Sequence, residues 1–272
     1  MKITFNQRLK NSCIEKNSFL CIGLDLDPSK LTEYGGSSLS SMESFGKEII
    51  DGTIDFCPIY KPNFAFFERF GSKGYVVLEN LIKYIDNRAL VIADAKRGDI
   101  GNTSKYYANS IFEQLGCDAI TLSPYMGRDS IEPFIQNPQK GVFVLAVTSN
   151  LGGKEIQCHG GSTDLLYNKV IQMANELNTL DNIGLVVGAT KTDTMENIRK
   201  NSDGMPWLIP GIGSQGGDLN AALTISNKGG IGVVNVSRSI LYSGDGNVKL
   251  AIKSAMSYTD RIREIICNQM NY

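Results

Sequence analysis

Eight short runs rich in β-branched residues alternate along this chain with longer amphipathic stretches. The runs predict eight strands, which are Phe19–Asp25, Phe56–Lys61, Leu90–Lys96, Asp118–Leu122, Val142–Thr148, Ile183–Gly188, Trp207–Pro210 and Ile231–Val236. The amphipathic stretches predict helices over Thr4–Cys13, Ser41–Ile54, Lys73–Tyr84, Thr103–Leu115, Leu165–Leu177, Asp218–Ser226 and Lys249–Ile266. Most of the predicted strands are thus followed by a predicted helix.

A strand followed by a helical crossover, repeated along a chain, is typical of a parallel β-sheet. Eight strands, each followed by a crossover segment, in 272 residues predict the α/β class and a closed (β/α)8 TIM barrel. No linker or low-complexity segment divides the chain, so residues 1–272 are predicted to form one domain. An open, doubly wound sheet is the structural alternative.

The overall charge and hydropathy of the chain exclude several classes of protein. A formal net charge of −1 gives no basic excess for binding nucleic acid or an anionic membrane. The longest clear apolar run, Val142–Val147, is far shorter than the ~20 residues of a membrane-spanning helix. Residues 1–12 lack the apolar segment of a signal peptide, and the six cysteines form no C-x-x-C motif. We therefore expect a cytoplasmic protein with reduced thiols.

The single histidine, His159, limits the chemistry that the chain can perform. A site with several histidine ligands is impossible, and any serine or cysteine nucleophile activated by histidine would depend on this residue. His159 lies in the glycine-rich stretch NLGGKEIQCHGGST without partners at zinc-ligand spacing, so it is predicted to be an ordinary loop residue and no metal site is expected.

The segment VIADAKRGDIGNTS carries the densest group of charged residues in a predicted strand. Because side chains alternate along a strand, Asp94 and Lys96 are expected to point the same way. Two buried charges on one face are costly unless they pair, and active sites of barrels lie at the carboxyl ends of strands. The structural alternative is a buried ion pair, with Asp99 or Asn102 capping the next helix.

Two other predicted strands also end in charged residues. Lys61 ends the second strand, and Asp25 and Asp27 come at the end of the first, where one should face the barrel mouth and the other should begin the loop. A lysine before a proline is often no more than a strand exit. Charges at the ends of three strands nevertheless favour a site, since these ends meet at one rim of a barrel.

The segment IPGIGSQGGD after the seventh strand contains Gly211, Gly213 and Gly216 in a G-x-G-x-x-G pattern. A dinucleotide fold is disfavoured, because the pattern comes late in the chain and the next strand carries no acid. The alternative is a phosphate cradle between strands seven and eight, with Arg238 beyond the eighth strand as a second contact. A simple surface arginine is the other interpretation of Arg238.

Taken together, these segments resemble the orotidine 5′-monophosphate decarboxylase family. The run IADAKRGDIGNTS is similar to the D-x-K-x-x-D signature, and its GNTS extension resembles the bacterial and protozoan branch. The resemblance continues from GLDLDP through YKPNFAFFE, TSN and PGIGSQGGD to SRSI, in matching order. Leu151 departs from the pattern, since relatives often have proline there, and this puts the stiffness of the fifth loop in question.

The resemblance implies decarboxylation of orotidine 5′-monophosphate to UMP and CO2, the last step of de novo pyrimidine biosynthesis, by a homodimer without cofactor or metal. It implies a catalytic tetrad of Lys61, Asp94, Lys96 and Asp99 of the partner subunit, in which Lys96 protonates C6 of the pyrimidine. The substrate-binding residues implied are Asp25 and, from the partner subunit, Thr103 for ribose, Ser149 for the pyrimidine, Gln215 for base and phosphate, and Arg238 for phosphate.

Two alternatives to this activity remain at the level of the sequence. Sugar-phosphate enzymes with the same D-x-K-x-x-D signature use Mg²⁺, but they resemble this chain less because an acid replaces the lysine of the second strand. Lys61 and Gln215 therefore argue against them. A catalytically inactive barrel that only binds nucleotides is the second alternative, and the intact array of charges argues against it.

Overall fold

The computed structural model describes residues 3–31, 38–161, 165–189, 192–213 and 216–270. Within these segments, eight parallel strands form a closed barrel in chain order. The strands are β1 Leu20–Leu24, β2 Ile59–Pro62, β3 Leu90–Arg97, β4 Ala119–Leu122, β5 Gly141–Val147, β6 Ile183–Val187, β7 Trp207–Ile209 and β8 Gly232–Val236. The predicted barrel is confirmed, and the open sheet is wrong, because Leu20 and Val234 pair β1 with β8.

The helices surround the barrel and connect its strands. They are α1 Phe5–Glu15, α2 Leu39–Thr53, α3 Ala65–Glu68, α4 Ser72–Ile85, α5 Gly101–Asn109, α6 Gly153–Gln157, α7 Leu166–Leu177, α8 Thr192–Asn201, α9 Leu219–Ser226, α10 Arg238–Leu241 and α11 Val248–Met270. The predicted helix Thr103–Leu115 corresponds to α5 followed by a π-helical turn, Ser110–Gln114. Helix α8 was not predicted, because Met195 and Ile198 are its only apolar residues.

Helix α1 closes the amino-terminal end of the barrel. Thr4 and Gln7 form a capping box at its first turn, which fixes where the helix begins. Phe5 is fully buried and meets Phe143 of β5 edge to face, with ring centroids 6.0 Å apart. Gly141 leaves the necessary room, since a Cβ there would lie 2.1 Å from Phe5 Cδ1. Because α1 and its contacts fill the amino-terminal end of the barrel, a cavity can open only at the carboxyl-terminal end.

Tyr242, just after α10, holds the exit of the first strand. Its hydroxyl donates to the carbonyl of Asp25 at 2.7 Å and accepts from the backbone N–H of Asp27 at 2.6 Å. The contact joins the last βα unit of the barrel to the first. The backbone that carries Asp25 is therefore fixed from both sides.

Two further observations bear on the class of protein. In the segments that the model describes, none of the helices combines the length and the apolar character needed to span a membrane. All six cysteines are free, and Cys13, Cys21, Cys57 and Cys117 are buried. The expectation of unpaired thiols is thus confirmed.

Candidate active site

A cavity of about 280 Å³ opens at the carboxyl-terminal end of the barrel. Six of the predicted site residues line it, namely Asp25, Lys61, Asp94, Lys96, Ser149 and Arg238. Asp99 and Thr103 are not among the lining residues. Gln215 lies outside the described residues, so its predicted role is untested.

The ends of β2 and β3 bring a lysine, an aspartate and a second lysine into direct contact. Asp94 Oδ2 accepts from Lys61 Nζ at 2.5 Å, and Asp94 Oδ1 accepts from Lys96 Nζ at 2.5 Å. Lys61 is 4% exposed and Asp94 is 8% exposed, whereas half of the Lys96 side chain is exposed. The carboxylate thus joins a buried ammonium to one that faces the open cavity.

This arrangement keeps both buried groups charged. Burial acts to raise the pKa of Asp94, but attraction to Lys61 and Lys96 and their hydrogen bonds outweigh it and hold the pKa far below its usual range. Burial acts to lower the pKa of Lys61, but attraction to Asp94 and then to Asp25 raises it above its usual value. A fixed negative charge and a fixed positive charge therefore line the cavity.

A bulge in β3 presents Lys96 to the cavity. Ala93 pairs with Ile120 and Arg97 pairs with Leu122, so three residues of β3 face one residue of β4. Lys96 has a φ of 47°, in the left-handed region that lysine rarely adopts. The prediction that Asp94 and Lys96 converge is correct, but a bulge rather than plain strand alternation brings them together.

Two buried polar residues of the site were not predicted from the sequence. Thr121 of β4 is 1% exposed and Asn235 of β8 is 9% exposed, and both line the cavity. Thr121 Oγ1 lies 3.1 Å from Asp94 Oδ1. Each is a single polar residue within an otherwise apolar strand, AITL or GVVNV, and this signal could have identified them.

Two polar atoms in the cavity wall have no hydrogen-bond partner within the described residues. They are Asp25 Oδ1 and Ser237 Oγ, and both atoms are buried. Leaving such atoms unpaired is costly, which favours a ligand that supplies the missing hydrogen bonds. Asp27, in contrast, caps a 3-10 turn and pairs with Arg69 at 3.1 Å, as expected for the aspartate that begins the loop.

The exit of β5 carries a hydrogen-bonded turn. Thr148 donates its backbone N–H to Gln157 Oε1 at 3.0 Å, and Gln157 Nε2 donates to Thr148 Oγ1 at 2.7 Å. Ser149 follows at the edge of the cavity and is exposed. Leu151, the departure from the family pattern, is 90% exposed at the surface of this loop. Its effect on loop stiffness is untested.

Residues that follow β7 and β8 also line the cavity. Gly211, Gly213 and Gly216 have φ values of 102°, 85° and 76°, so the three glycines of the G-x-G-x-x-G pattern adopt left-handed conformations that favour glycine. Arg238 is the first residue of α10 and lines the cavity. An arginine that lines a cavity is suited to bind an anion there.

The segment after β3 does not line the cavity of its own chain. Asp99 Oδ1 accepts from the N–H of Ile100 at 2.8 Å, and Thr103 is exposed on α5. The alternative in which Asp99 or Asn102 caps α5 is wrong, because the N-cap residue is Ile100 and no side chain caps this helix. A single chain thus brings together three of the four predicted catalytic residues.

His159 is exposed in the loop after α6. Its prediction as an ordinary loop residue agrees with this position. Among the residues described by the model, no group of three or more histidine, cysteine, aspartate or glutamate side chains could hold a metal ion.

The fold and the cavity define a (β/α)8-barrel protein with a lysine–aspartate–lysine array at the carboxyl ends of its strands. The model of the orotidine 5′-phosphate decarboxylase / HUMPS family matches residues 18–251. The chain belongs to this family.

Individual relatives agree with the assignment to this family. The orotidine 5′-phosphate decarboxylase of Dehalococcoides mccartyi is 45% identical over 89% of this chain and 90% of its own. The orotidine 5′-phosphate decarboxylase of Christiangramia forsetii is 42% identical over 89% of this chain and 90% of its own. The structure of Leishmania donovani OMP decarboxylase superposes with a TM-score of 0.84 at 34% identity, covering 97% of this chain and 98% of its own.

Proposed function

We propose that this chain decarboxylates orotidine 5′-monophosphate to UMP and CO2, the last step of de novo pyrimidine biosynthesis. The observation that carries the proposal is the Asp94 carboxylate held between Lys61 and Lys96 at the mouth of a barrel of this family. Residues 1–272 would act as one barrel domain, in the cytoplasm.

The array suits a reaction in which negative charge develops on carbon. When the bond between C6 and the carboxylate breaks, CO2 leaves and the electron pair remains on C6 without an adjacent electron sink. The Lys96 ammonium, half exposed to the cavity, stabilises this charge and then donates its proton to C6. Asp94 faces the substrate carboxylate, and Lys61 keeps Asp94 ionised.

The remaining cavity residues match the other parts of the nucleotide. The unpaired Asp25 Oδ1 would accept from a ribose hydroxyl, and Ser149 would bind the pyrimidine. Arg238 and nearby N–H groups would bind the phosphate, with Gln215 between base and phosphate. Binding the phosphate far from C6 supplies energy that can be used at the reacting carbon.

We also propose that the active site is completed in a homodimer. Asp99 and Thr103 follow β3 and lie outside the cavity of their own chain, and they would enter the site of the neighbour. Ile100 and Tyr106 of the same segment are 54% and 64% exposed, which suits a surface that becomes covered. In a two-fold dimer the same exchange occurs at both sites.

The direct test is to incubate the purified chain with orotidine 5′-monophosphate, following loss of its ultraviolet absorbance and release of CO2. We expect one CO2 for each UMP formed, and no turnover by the Lys96→Ala variant. Absence of both signals with a folded wild-type chain would contradict the proposed function and favour a barrel that only binds nucleotides.

Activity should be unchanged after treatment with EDTA. Both oxygens of Asp94 already bind lysine ammonium groups, so two positive charges lie where Mg²⁺ would have to approach this carboxylate. Initial rates with EDTA and with added Mg²⁺ provide the measurement. Loss of activity with EDTA and its recovery with Mg²⁺ would move the assignment to the sugar-phosphate relatives.

Replacing Arg238 by alanine should impair use of the nucleotide more than use of the nucleoside. A lost hydrogen bond between charged groups is worth about 1.5–3 kcal/mol, which corresponds to a fall in kcat/KM of about 10- to 150-fold. The phosphate-free nucleoside orotidine should show little change. Arg261→Ala, at an exposed position on α11, is the matched control. Equal losses on both substrates would refute a phosphate role for Arg238.

A further inference from the structure

Thr121 occupies the position of β4 that faces the bulge of β3. It is the one residue of β4 between the paired positions Ile120 and Leu122, opposite the three bulged residues that include Asp94 and Lys96. Its side chain is almost fully buried and lines the active-site cavity. Thr121 therefore contacts the array at the point where the backbone of β3 is least regular.

The hydroxyl of Thr121 makes two hydrogen bonds whose directions are fixed by their partners. The backbone N–H of Lys96 can only donate, and it reaches Thr121 Oγ1 at 3.0 Å. The ionised Asp94 can only accept, so the hydroxyl donates its proton to Asp94 Oδ1 at 3.1 Å. Because Lys96 Nζ binds the same oxygen, Thr121, Asp94 and Lys96 form a closed ring of hydrogen bonds.

This ring supports an unusual backbone conformation. With a φ of 47°, Lys96 adopts a left-handed conformation that is unfavourable for a residue with a Cβ and needs support from its surroundings. The bond from Lys96 N–H to Thr121 provides such support at the strained residue itself. The bond from Thr121 to Asp94 fixes the carboxylate oxygen that the Lys96 ammonium shares.

We propose that Thr121 is a positioning residue for the decarboxylation, which holds the Lys96 backbone in its left-handed conformation and the Asp94 carboxylate in its rotamer. The inference rests on the proposed function, because it concerns the same array. Thr121 itself does not touch the reacting carbon. Its hydroxyl sets where the ammonium that stabilises the charge on C6 is placed.

The test compares three substitutions of buried threonines. Thr121→Val removes the hydroxyl while keeping the shape, and Thr121→Ser keeps the hydroxyl. Thr259→Val is the matched control, because Thr259 is also fully buried and bonds only to the Ala255 carbonyl on α11 among the described contacts. If Thr121→Val does not fold, Thr121→Ala removes the same hydroxyl without adding bulk.

Steady-state kinetics should separate positioning from a merely structural role. We expect Thr121→Val to lower kcat about 10- to 100-fold, the loss typical of a misplaced catalytic group, with little change in KM. Thr121→Ser should keep most of the wild-type kcat, and Thr259→Val should match the wild type. An unchanged kcat in folded Thr121→Val, or equal losses in Thr121→Ser, would overturn the proposal.

Binding of two nucleotides without turnover gives an independent measurement. Ionised 6-hydroxyuridine 5′-monophosphate carries negative charge next to C6, whereas UMP carries none on its ring. Thr121→Val should bind the charged nucleotide about 10-fold less tightly and UMP nearly as well, since misplacing Lys96 affects only the charged state. Equal losses for both nucleotides would overturn the role of Thr121. A wild-type chain without decarboxylase activity would instead refute the proposed function.

Discussion

Lys96→Ala and Asp99→Ala chains that are unfolded and refolded together should recover about a quarter of the wild-type sites. Each variant alone should be nearly inactive, because each lacks one charge of the proposed tetrad. Random pairing makes about half of the dimers mixed across a two-fold interface. In each mixed dimer one site collects both substitutions and the other collects neither. Decarboxylase activity before and after refolding provides the measurement.

The matched control for this experiment is a mixture of Lys96→Ala and Asp94→Ala. These two residues lie on the same strand and contact each other within one chain, so every site of a mixed dimer keeps one lesion. This mixture should stay inactive. If the Lys96→Ala and Asp99→Ala mixture is equally inactive, with mixed dimers shown to be present, the shared site is ruled out.

Asp94→Asn should lower the free energy of unfolding by about 3–5 kcal/mol near neutral pH, the usual result of breaking a buried ion pair. Lys61 is 4% exposed and loses the carboxylate that holds its ammonium. The double variant Lys61→Met/Asp94→Asn should regain most of this loss, since no unpaired buried ammonium remains. Chemical denaturation of both variants and of the control Asp129→Asn, at an exposed position, provides the comparison.

The loss in free energy of unfolding caused by Asp94→Asn, called the deficit below, should depend on pH. Asp94 has a lowered pKa, so its stabilising contribution is complete above the unfolded value of about 3.9 and is lost as pH falls through the folded value. Lys61 has a raised pKa, so its contribution is complete below the unfolded value of about 10.4 and is lost as pH rises through the folded value.

The deficit should therefore be largest near neutral pH and smaller at both extremes. A deficit below about 1 kcal/mol at pH 7, the range of an exposed ion pair, would show that burial does not strengthen this pair. A double variant no more stable than Asp94→Asn would show that the unpaired lysine is not the cause.

The barrel could be predicted from the sequence because its strands are short, apolar and regularly spaced. Helix α8 escaped prediction because it buries little apolar surface, and its pattern is therefore weak. The orientation of the Asp94 side chain toward the site could be predicted, because a carboxylate within an apolar strand needs a charged partner. The left-handed backbone conformation of Lys96 could not be predicted, because the bulge that produces it depends on how β3 pairs with β4.

Only some of the residues that form the site could be predicted from the sequence. Charged residues at strand ends are visible in a sequence, and Lys61, Asp94 and Lys96 do meet. Thr121 and Asn235 have neutral side chains, and their importance depends on which strand face lines the cavity. The location of Asp99 relative to a neighbouring chain depends on an interface that neither strand patterning nor the fold of one chain specifies.

The hydroxyl of Tyr242 bonds to Asp27 and Asp25, which precede Tyr242 by 215 and 217 positions in the chain. Because β1 also pairs with β8, the strand that leads into Asp25 keeps an open edge until the last unit of the barrel is available. During synthesis on the ribosome, a nascent chain that ends before β8 can form neither this pairing nor the contact with Tyr242. Formation of the part of the cavity that holds Asp25 therefore waits for the last unit of the barrel, whereas Asp94 and its two lysines come from neighbouring strands that are made early.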